Sequence, residues 1–228
     1  MNPGYTLLRS RRRRKTICLQ LKKDGQVIIR APFFTPRKEI DDFFRAKEIW
    51  LRNRLQKMRE CALEPRSCRV YQKGETFFFL GNRFPLQIDI SVSNPGGLIF
   101  DNRRFVLQQD YIQRGREIFI AWYREQAEIH LGRRLNFFCS LLGFVSPDFR
   151  ITSARSFWGC CSAKNRLAFN WRLIMAPLSV IDYVVVHELQ HLSEKNHSAA
   201  FWSQVAAVIP DYGEHRRWLR KNGHLLDL

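Results

Sequence analysis

The residues best suited to chemistry in this sequence lie close together, where His187, Glu188 and His191 form the pattern H-E-x-x-H. On a helix, His187 and His191 lie one turn apart on the same face, so both imidazoles reach one ion at about 2.0–2.1 Å. Glu188 is rotated by about 100° from His187, which puts its carboxylate beside that ion rather than on it. There it can take a proton from an attacking water molecule. The pattern therefore predicts a hydrolytic metal site.

His197 is the predicted third ligand, because it follows His187 by ten residues, the spacing at which metzincin-type sites place their third histidine. The active-site helix must end before His197 for this to work. Metzincins have a glycine in the intervening segment, whereas this sequence has Glu194. We expect Asn196 to make the turn instead, since Asn tolerates the left-handed conformation. Three histidines leave a fourth coordination position for water, which catalytic zinc sites need.

Other residues offer alternatives for these roles. Glu194 and Glu214 are rival third ligands, and Glu214 follows His191 by 23 residues, roughly where a gluzincin glutamate falls. Tyr212 and His215 are candidates for stabilising the transition state, although a packing or surface role is commoner for such residues. For the motif itself, the structural alternative is a pair of core histidines with satisfied hydrogen bonds and no metal.

A helix over residues 177–192 is predicted to carry the motif. Ser179 can cap its first turn, and Asp182 three residues later completes a pair that resembles a capping box. Beyond His197, Ser198 is predicted to cap a second helix. The metal ligands are therefore expected at the end of one helix and just before the start of the next.

Upstream of this helix, residues 166–173 alternate between apolar and polar side chains, which predicts a strand with one buried face. Asn170 and Arg172 lie on the other face. Zincins use an edge strand in this place to pair with an extended peptide substrate, so Asn170 and Arg172 are candidate substrate contacts. A strand inside the core would show the same alternation, and the sequence leaves both interpretations open.

Elsewhere, the hydrophobic pattern predicts further strands and two long helices. Asp24-Gly25 between alternating runs predicts a β-hairpin over residues 16–30. An apolar stripe that includes Ile49 and Trp50 predicts one helix over residues 38–60. Four strands are expected between residues 69 and 110, followed by a helix over residues 112–142 that Gly143 ends.

These elements together predict an α+β fold. A β-rich N-terminal portion, residues 1–110, contains a basic hairpin and one helix. A helical, zincin-like portion, residues 111–228, contains the HExxH helix. Nothing between the two portions looks like a flexible linker, so they are expected to form one contiguous unit.

Composition limits the class of protein further. Of the 228 residues, 45% are hydrophobic, enough to bury a core, which excludes a disordered chain. Six cysteines without a CxxC pair argue against a disulfide-stapled mini-protein, a thiolate zinc ribbon and a thioredoxin motif. We find no secretory signal and no apolar run long enough for a membrane helix, so we expect a cytoplasmic protein without membrane contact.

The chain is strongly basic, with a formal net charge of +17. Residues 1–60 contain 17 Lys and Arg against 6 Asp and Glu, so the first quarter carries +11 of it. A solvated basic face is the ordinary explanation of such a run. The alternative is contact with an anionic partner, nucleic acid above all.

Several motifs together resemble the YgjP-like metallopeptidase family, which is grouped with the SprT-like and WLM zincins. They are Trp158-Gly159-Cys160-Cys161-Ser162 and residues 167–177, 181–191, 196–198, 201–202 and 210–212. The resemblance implies a zincin fold, His187, His191 and His197 as zinc ligands and Glu188 as general base. The sequence departs from the family, which usually has Arg-Trp-Gly-Ser-Cys, at Phe157 and Cys160.

Three functions follow as hypotheses. The first is a zinc-dependent hydrolase, specifically a metallopeptidase acting on peptides or proteins, although three imidazoles also accept Ni²⁺ or Co²⁺. The second is a metal-dependent nucleotide pyrophosphatase or phosphohydrolase, in which arginines hold a phosphate-bearing small molecule. The third is a basic nucleic-acid-associated protein with a structural metal.

Overall fold

The computed structural model of the chain describes residues 4–12, 15–22, 24–63, 69–90 and 96–228. The described elements are a mixture of strands and helices, in agreement with the predicted α+β class. The chain divides into two compact units, Met1–Cys68 and Arg69–Leu228. The sequence suggested a division at residue 110, and the reason for the difference lies in the core of the second unit.

The first unit contains a three-stranded sheet and two helices. Strands β1 (Tyr5–Ser10), β2 (Cys18–Leu21) and β3 (Val27–Pro32) have the order β1-β3-β2. Strands β2 and β3 are antiparallel, which confirms the predicted hairpin. In its turn, the Asp24 carboxylate accepts a hydrogen bond of 2.9 Å from the backbone N–H of Gln26, and Gly25 has a positive φ of 85°. Strand β1, which the sequence did not predict, is parallel to β3.

Two helices replace the single helix predicted over residues 38–60, so that prediction is wrong. Helix α1 spans Arg37–Ala46 and α2 spans Glu48–Leu63. The buried stripe runs through Ile40, Phe44 and Leu51, and its next helical position falls on Lys47, a charged residue that is costly to bury. Ile49 and Trp50, which the sequence analysis counted in the stripe, are 78% and 51% exposed.

The second unit begins with a four-stranded sheet. Its strands are β4 (Thr76–Phe79), β5 (Asn82–Asp89), β6 (Leu98–Phe100) and β7 (Phe105–Gln108), in the order β4-β5-β7-β6. All four confirm predicted strands.

This sheet packs on helix α3 (Gly115–Leu142), which ends as predicted at Gly143 in the left-handed conformation, with a φ of 72°. The rings of Phe77 on β4 and Phe119 on α3 stack with centroids 4.1 Å apart. The four strands therefore share a hydrophobic core with α3 and the helices that follow it. This shared core explains why the second unit begins at Arg69 rather than after residue 110.

A second sheet of this unit has the strand order β8-β10-β9, from β8 (Phe149–Thr152), β9 (Gly159–Cys161) and β10 (Leu167–Asn170). Strand β10 corresponds to the alternating segment 166–173. It lies in the middle of the sheet, parallel to β8 and antiparallel to β9, and all four of its residues are buried. It is therefore a core strand, and the edge-strand interpretation does not apply to it.

Three helices follow: α4 (Leu178–Gln190), α5 (Ala199–Val208) and α6 (Tyr212–Asn222). Pro177 occupies the N-cap position of α4, and no side chain caps the helix, so the predicted cap at Ser179 is wrong. The backbone of Pro177 is extended, with φ −58° and ψ 144°, so the helix begins at the next residue, Leu178. Asp182 instead accepts hydrogen bonds of 2.5 and 2.9 Å from the guanidinium of Arg134 on α3.

Helix α4 ends at His191, whose backbone is right-handed, with φ −70° and ψ −7°. Asn196 does not adopt the predicted left-handed conformation. The turn after the helix is closed by backbone hydrogen bonds, among them that from Glu194 N–H to the carbonyl of Gln190 at 2.9 Å. In the part of the chain that the structure describes, no helix combines the length and the apolar character needed to cross a membrane.

Candidate metal centre

Three histidines converge where α4 ends and α5 is about to begin. One ligand atom from each of His187, His191 and His197 lies within 4.8 Å of the other two. The Nε2 atoms of His187 and His197 are 3.0 Å apart. Two nitrogens bound to one tetrahedral zinc ion at about 2.0–2.1 Å would be about 3.3 Å apart. The donor set and its spacing therefore fit a zinc ion.

His191 is held in the orientation and tautomer that metal binding requires. Its Nδ1 is 2.9 Å from the backbone carbonyl of Glu194, which can only accept, so Nδ1 carries the proton and Nε2 keeps its lone pair. The ring also stacks on Phe201, with centroids 4.5 Å apart and an interplanar angle of 26°. Glu194, considered as a rival ligand, thus takes part through its backbone rather than its carboxylate.

His197 is positioned by the start of the next helix. The Ser198 hydroxyl accepts a hydrogen bond of 3.2 Å from the backbone N–H of Phe201, which confirms Ser198 as the N-cap of α5. The His197 ring stacks on Trp202 of the same helix, with centroids 5.6 Å apart. The cap and the stacked ring fix the exit of the loop that carries the third histidine.

Burial favours the neutral form of two of these imidazoles, those of His187 and His197. The pKa of His187 is lowered to about 3, first by burial and then by the charges of His191 and His197. The pKa of His197 is also lowered, again mainly by burial. A neutral imidazole is the form that binds a metal ion. Among the described residues, none pairs with the buried Nδ1 of His187.

Glu188 lies on the buried side of α4 and is 5% exposed. Burial raises the pKa of its carboxyl to about 8. Its side chain lies against strand β9, where a Cβ on residue 159 would be only 2.6 Å from Cγ and 2.7 Å from Oε1 of Glu188. Only glycine leaves this space free. Gly159 belongs to one of the sequence motifs, but nothing in the sequence indicates this contact.

A cavity of about 320 Å³ adjoins His187 and Glu188. Its other walls come from α4, α6 and the segment before β9, and they include Trp158, Tyr183, Val184, Arg216, Leu219 and Arg220. The sequence analysis singled out neither Arg216 nor Arg220. In the sequence, these two arginines are part of a basic C-terminal helix, and composition alone does not show which side chains line a cavity.

Asn170 and Arg172, predicted as substrate contacts, make structural interactions instead. Asn170 is 3% exposed, and its side chain accepts from Arg172 N–H at 3.0 Å and donates to the Ala154 carbonyl at 2.7 Å. Arg172 is 7% exposed, lies 4.2 Å from the ring of Trp171 and donates to Asp227 at 2.8 Å. Asn170 ends the central strand β10 and Arg172 lies in the turn that follows, and both buried side chains bond within the protein.

Tyr212 and His215, the candidates for stabilising the transition state, both lie on α6. Tyr212 stacks on Trp202, with centroids 5.1 Å apart and an interplanar angle of 17°. Since Trp202 itself stacks on His197, Tyr212 supports the site through an intervening ring. His215 Nε2 is 3.2 Å from a carboxylate oxygen of Asp211.

Glu214, the other rival ligand, points away from the histidines. Its side chain is 71% exposed and lies 3.7 Å from Arg217. Within the described ranges, His187, His191 and His197 are the group of side chains suited to holding a metal ion.

Comparison with known proteins adds a family to this geometry. The family model described as YgjP-like, metallopeptidase domain, matches residues 15–222. Among solved structures, the crystal structure of the metallopeptidase zymogen of Pyrococcus abyssi abylysin aligns with 40% of this chain and 93% of its own, at 24% identity and a TM-score of 0.37. None of the curated proteins matches the chain.

Proposed function

The chain belongs to the YgjP-like metallopeptidase family, and on that premise we propose that it is a zinc-dependent peptidase. In this proposal His187, His191 and His197 hold the metal and Glu188 is the general base. The observation that carries it is the convergence of three imidazoles within 4.8 Å beside a buried carboxylate. Zinc bound by three protein ligands supplies a Lewis acid that polarises a carbonyl group and lowers the pKa of water.

Glu188 moves the proton in this scheme. Its carboxylate takes a proton from the attacking water and then delivers it to the amine of the departing peptide. A general base is most effective when its pKa lies near the working pH, and burial raises the pKa of Glu188 in that direction. Gly159 supports this role, because the absence of a side chain there lets the carboxylate lie against β9.

The substrate backbone is proposed to pair with strand β9. Extended peptides bind proteins by adding a strand to an open sheet edge. Strand β10 is covered on both sides, whereas β9 pairs on one side with β10 and is at the end of its sheet. Because Gly159 in β9 touches Glu188, a peptide along this edge would bring its scissile bond close to the base.

A phosphohydrolase is the second candidate, and the observation in its favour is the pair of arginines, Arg216 and Arg220, in the cavity beside Glu188. Arginine binds phosphate and carboxylate equally well through its planar fork of donors.

A substrate screen separates the two candidates. The zinc-loaded protein would be incubated with an unfolded polypeptide and, separately, with a panel of nucleoside triphosphates. We expect new peptide termini by mass spectrometry and no release of phosphate or pyrophosphate. Hydrolysis of nucleotides without cleavage of any polypeptide would contradict the peptidase and support the phosphohydrolase.

A further inference from the structure

Two arginines of α6, Arg216 and Arg220, line the cavity beside Glu188. Arg216 and Arg220 lie one turn apart on α6 and both line the cavity. Among the residues that the structure describes, neither forms an ion pair. Their neighbour Arg217, which does not line the cavity, lies 3.7 Å from Glu214. The ion pair on this helix therefore involves Arg217, and among the described residues neither guanidinium group that lines the cavity has an acidic partner.

The Arg216 guanidinium is directed towards the histidines. It lies 5.2 Å from the ring of Trp202, which stacks on His197.

The acid that lines the cavity does not neutralise these arginines. Of the described residues in its wall, Glu188 is the one carboxylate, and neither arginine forms an ion pair with it. Two guanidinium groups against one carboxylate leave the wall with a net positive charge. The cavity thus carries an uncompensated positive charge and suits an anionic ligand.

The size and the remaining walls of the cavity indicate which anion fits. Trp158, Val184 and Leu219 give it apolar surface. Its volume of about 320 Å³ is at the lower end of the range of roughly 300–1,000 Å³ in which whole small-molecule ligands bind. A side chain with a short apolar stem and a terminal carboxylate matches these apolar walls and the two guanidinium groups.

We propose that this cavity binds the side chain of an acidic residue, Glu or Asp, next to the scissile bond, and that Arg216 and Arg220 determine this specificity. The inference rests on the proposed peptidase function and deepens it by naming the substrate class. The peptide backbone would lie along β9, at Gly159, and the acidic side chain would enter between α4 and α6.

The first test measures cleavage preference. A series of peptides from one parent sequence would carry Glu, Gln or Lys in turn at each position near the cleaved bond. At one position we expect kcat/KM to be about tenfold higher for Glu than for Gln, and lowest for Lys, because a charge-assisted hydrogen bond to Arg is about twice as strong as a neutral one. In the double variant Arg216→Gln with Arg220→Gln, we expect this ratio to fall to about twofold or less.

The matched control is Arg217→Gln, which changes a neighbouring arginine of α6 that does not line the cavity and should keep the full preference for Glu. Thermal unfolding would verify that each variant is folded. Equal cleavage of the Glu, Gln and Lys peptides by the wild type would overturn the inference. A preference for Glu that persists in the double variant would overturn it as well.

The second test measures binding without cleavage, which separates this inference from the proposed function. Calorimetry on the zinc-loaded Glu188→Gln protein should show about tenfold tighter binding of the Glu peptide than of the Gln peptide, and the arginine substitutions should remove the difference. If this result holds but the wild type cleaves no peptide, the subsite stands and the peptidase proposal fails. If acidic and neutral peptides bind alike while nucleoside triphosphates are hydrolysed, both fail.

Discussion

Burial affects His187 and Glu188 in opposite directions, although they are neighbours on α4. It lowers the pKa of His187 to about 3 and raises that of Glu188 to about 8. In both cases the buried environment disfavours the charged form. The consequence is an imidazole ready to act as a ligand and a carboxylate that is a stronger base than one in water.

Among the three proposed ligands, His197 is the one on which the site depends most, because it comes from a separate segment of the chain. We expect His197→Ala to reduce bound zinc from about one equivalent to well below half after gel filtration, since two protein ligands make a far weaker site than three. Elemental analysis measures this directly. The Glu214→Ala variant, which alters an exposed carboxylate, should keep its zinc. Zinc unchanged by His197→Ala would show that another residue is the third ligand.

Gly159 is predicted to matter because of its contact with Glu188. In Gly159→Ala, the new Cβ would lie 2.6 Å from Glu188 Cγ, so the carboxylate must move. We expect kcat to fall by about 10²-fold with zinc content preserved, since a displacement of this size at a catalytic group costs about that much. Gly213→Ala on α6 is the control, because its Cβ would have nothing closer than 3.8 Å. Equal activity of the two variants would contradict the role of Gly159.

At the scale of elements, the site depends on the junction between α4 and α5 and on the edge strand β9. Helix α4 carries His187 in its last turn and His191 at its C-cap, and Ser198 caps α5 directly after His197. Strand β9 lies against Glu188 and leaves one edge of its sheet open. The junction is therefore expected to respond to changes in the helix cap.

Ser198→Ala tests this junction. Loss of an N-cap hydroxyl costs about 1 kcal/mol of unfolding free energy, and we expect zinc affinity to fall several-fold because His197 is the preceding residue. Chemical denaturation and a zinc competition titration measure the two effects. Ser203→Ala, at an exposed position within α5, serves as the control and should change neither. A variant with unchanged stability and zinc affinity would show that the cap does not position His197.

Much of the site followed from sequence because its residues are local. All four proposed site residues lie within eleven positions of the chain: His187, Glu188, His191 and His197. The cap residue, Ser198, follows directly. By contrast, whether β10 is an edge or a central strand depends on β8 and β9, which come from other parts of the chain. Strand β9 has three residues and no periodicity that could predict it. The position of Arg216 and Arg220 at the cavity likewise depends on how α6 packs.

At the scale of the whole molecule, the domain boundary reflects where the hydrophobic cores lie. The strands between residues 76 and 108 resemble the first unit in secondary structure, but they bury their apolar face on α3. Composition along the chain cannot reveal that partnership. Near the C-terminal end of the second unit, the Asp227 carboxylate forms ion pairs with Arg172 at 2.8 Å and with Arg155 at 2.9 Å.

The ion pairs of Asp227 predict that the stability of the fold depends on pH. Burial would raise the pKa of Asp227, but the hydrogen bond and charge of Arg172 outweigh it, so the pKa lies below its usual value. The ionised form is thus favoured by folding. The stabilisation is present above the unfolded-state pKa of about 3.9 and is lost as the pH falls through the lower folded-state pKa.

Asp227→Asn should therefore reduce the unfolding free energy at pH 7 by about 1–2 kcal/mol, less than for a fully buried pair because Asp227 is partly exposed. The difference in unfolding free energy should shrink as the pH falls through the folded-state pKa, because Asp227 of the wild type then gains a proton and loses its charge. Urea denaturation at pH 7 and near pH 3 measures it. A difference that is the same at both pH values would show that the charge of Asp227 is not the stabilising factor.

The most direct test of the account compares zinc-loaded wild type with Glu188→Gln in the hydrolysis of an unfolded polypeptide. If Glu188 is the general base, we expect the wild type to cleave the polypeptide and the variant to do so at a rate lower by about 10²–10⁴-fold. Zinc content should be equal in both proteins, because Glu188 is not a proposed ligand. Full activity in the variant at equal zinc content would contradict the assignment of Glu188 as the base. Absence of cleavage by the zinc-loaded wild type would contradict the peptidase itself.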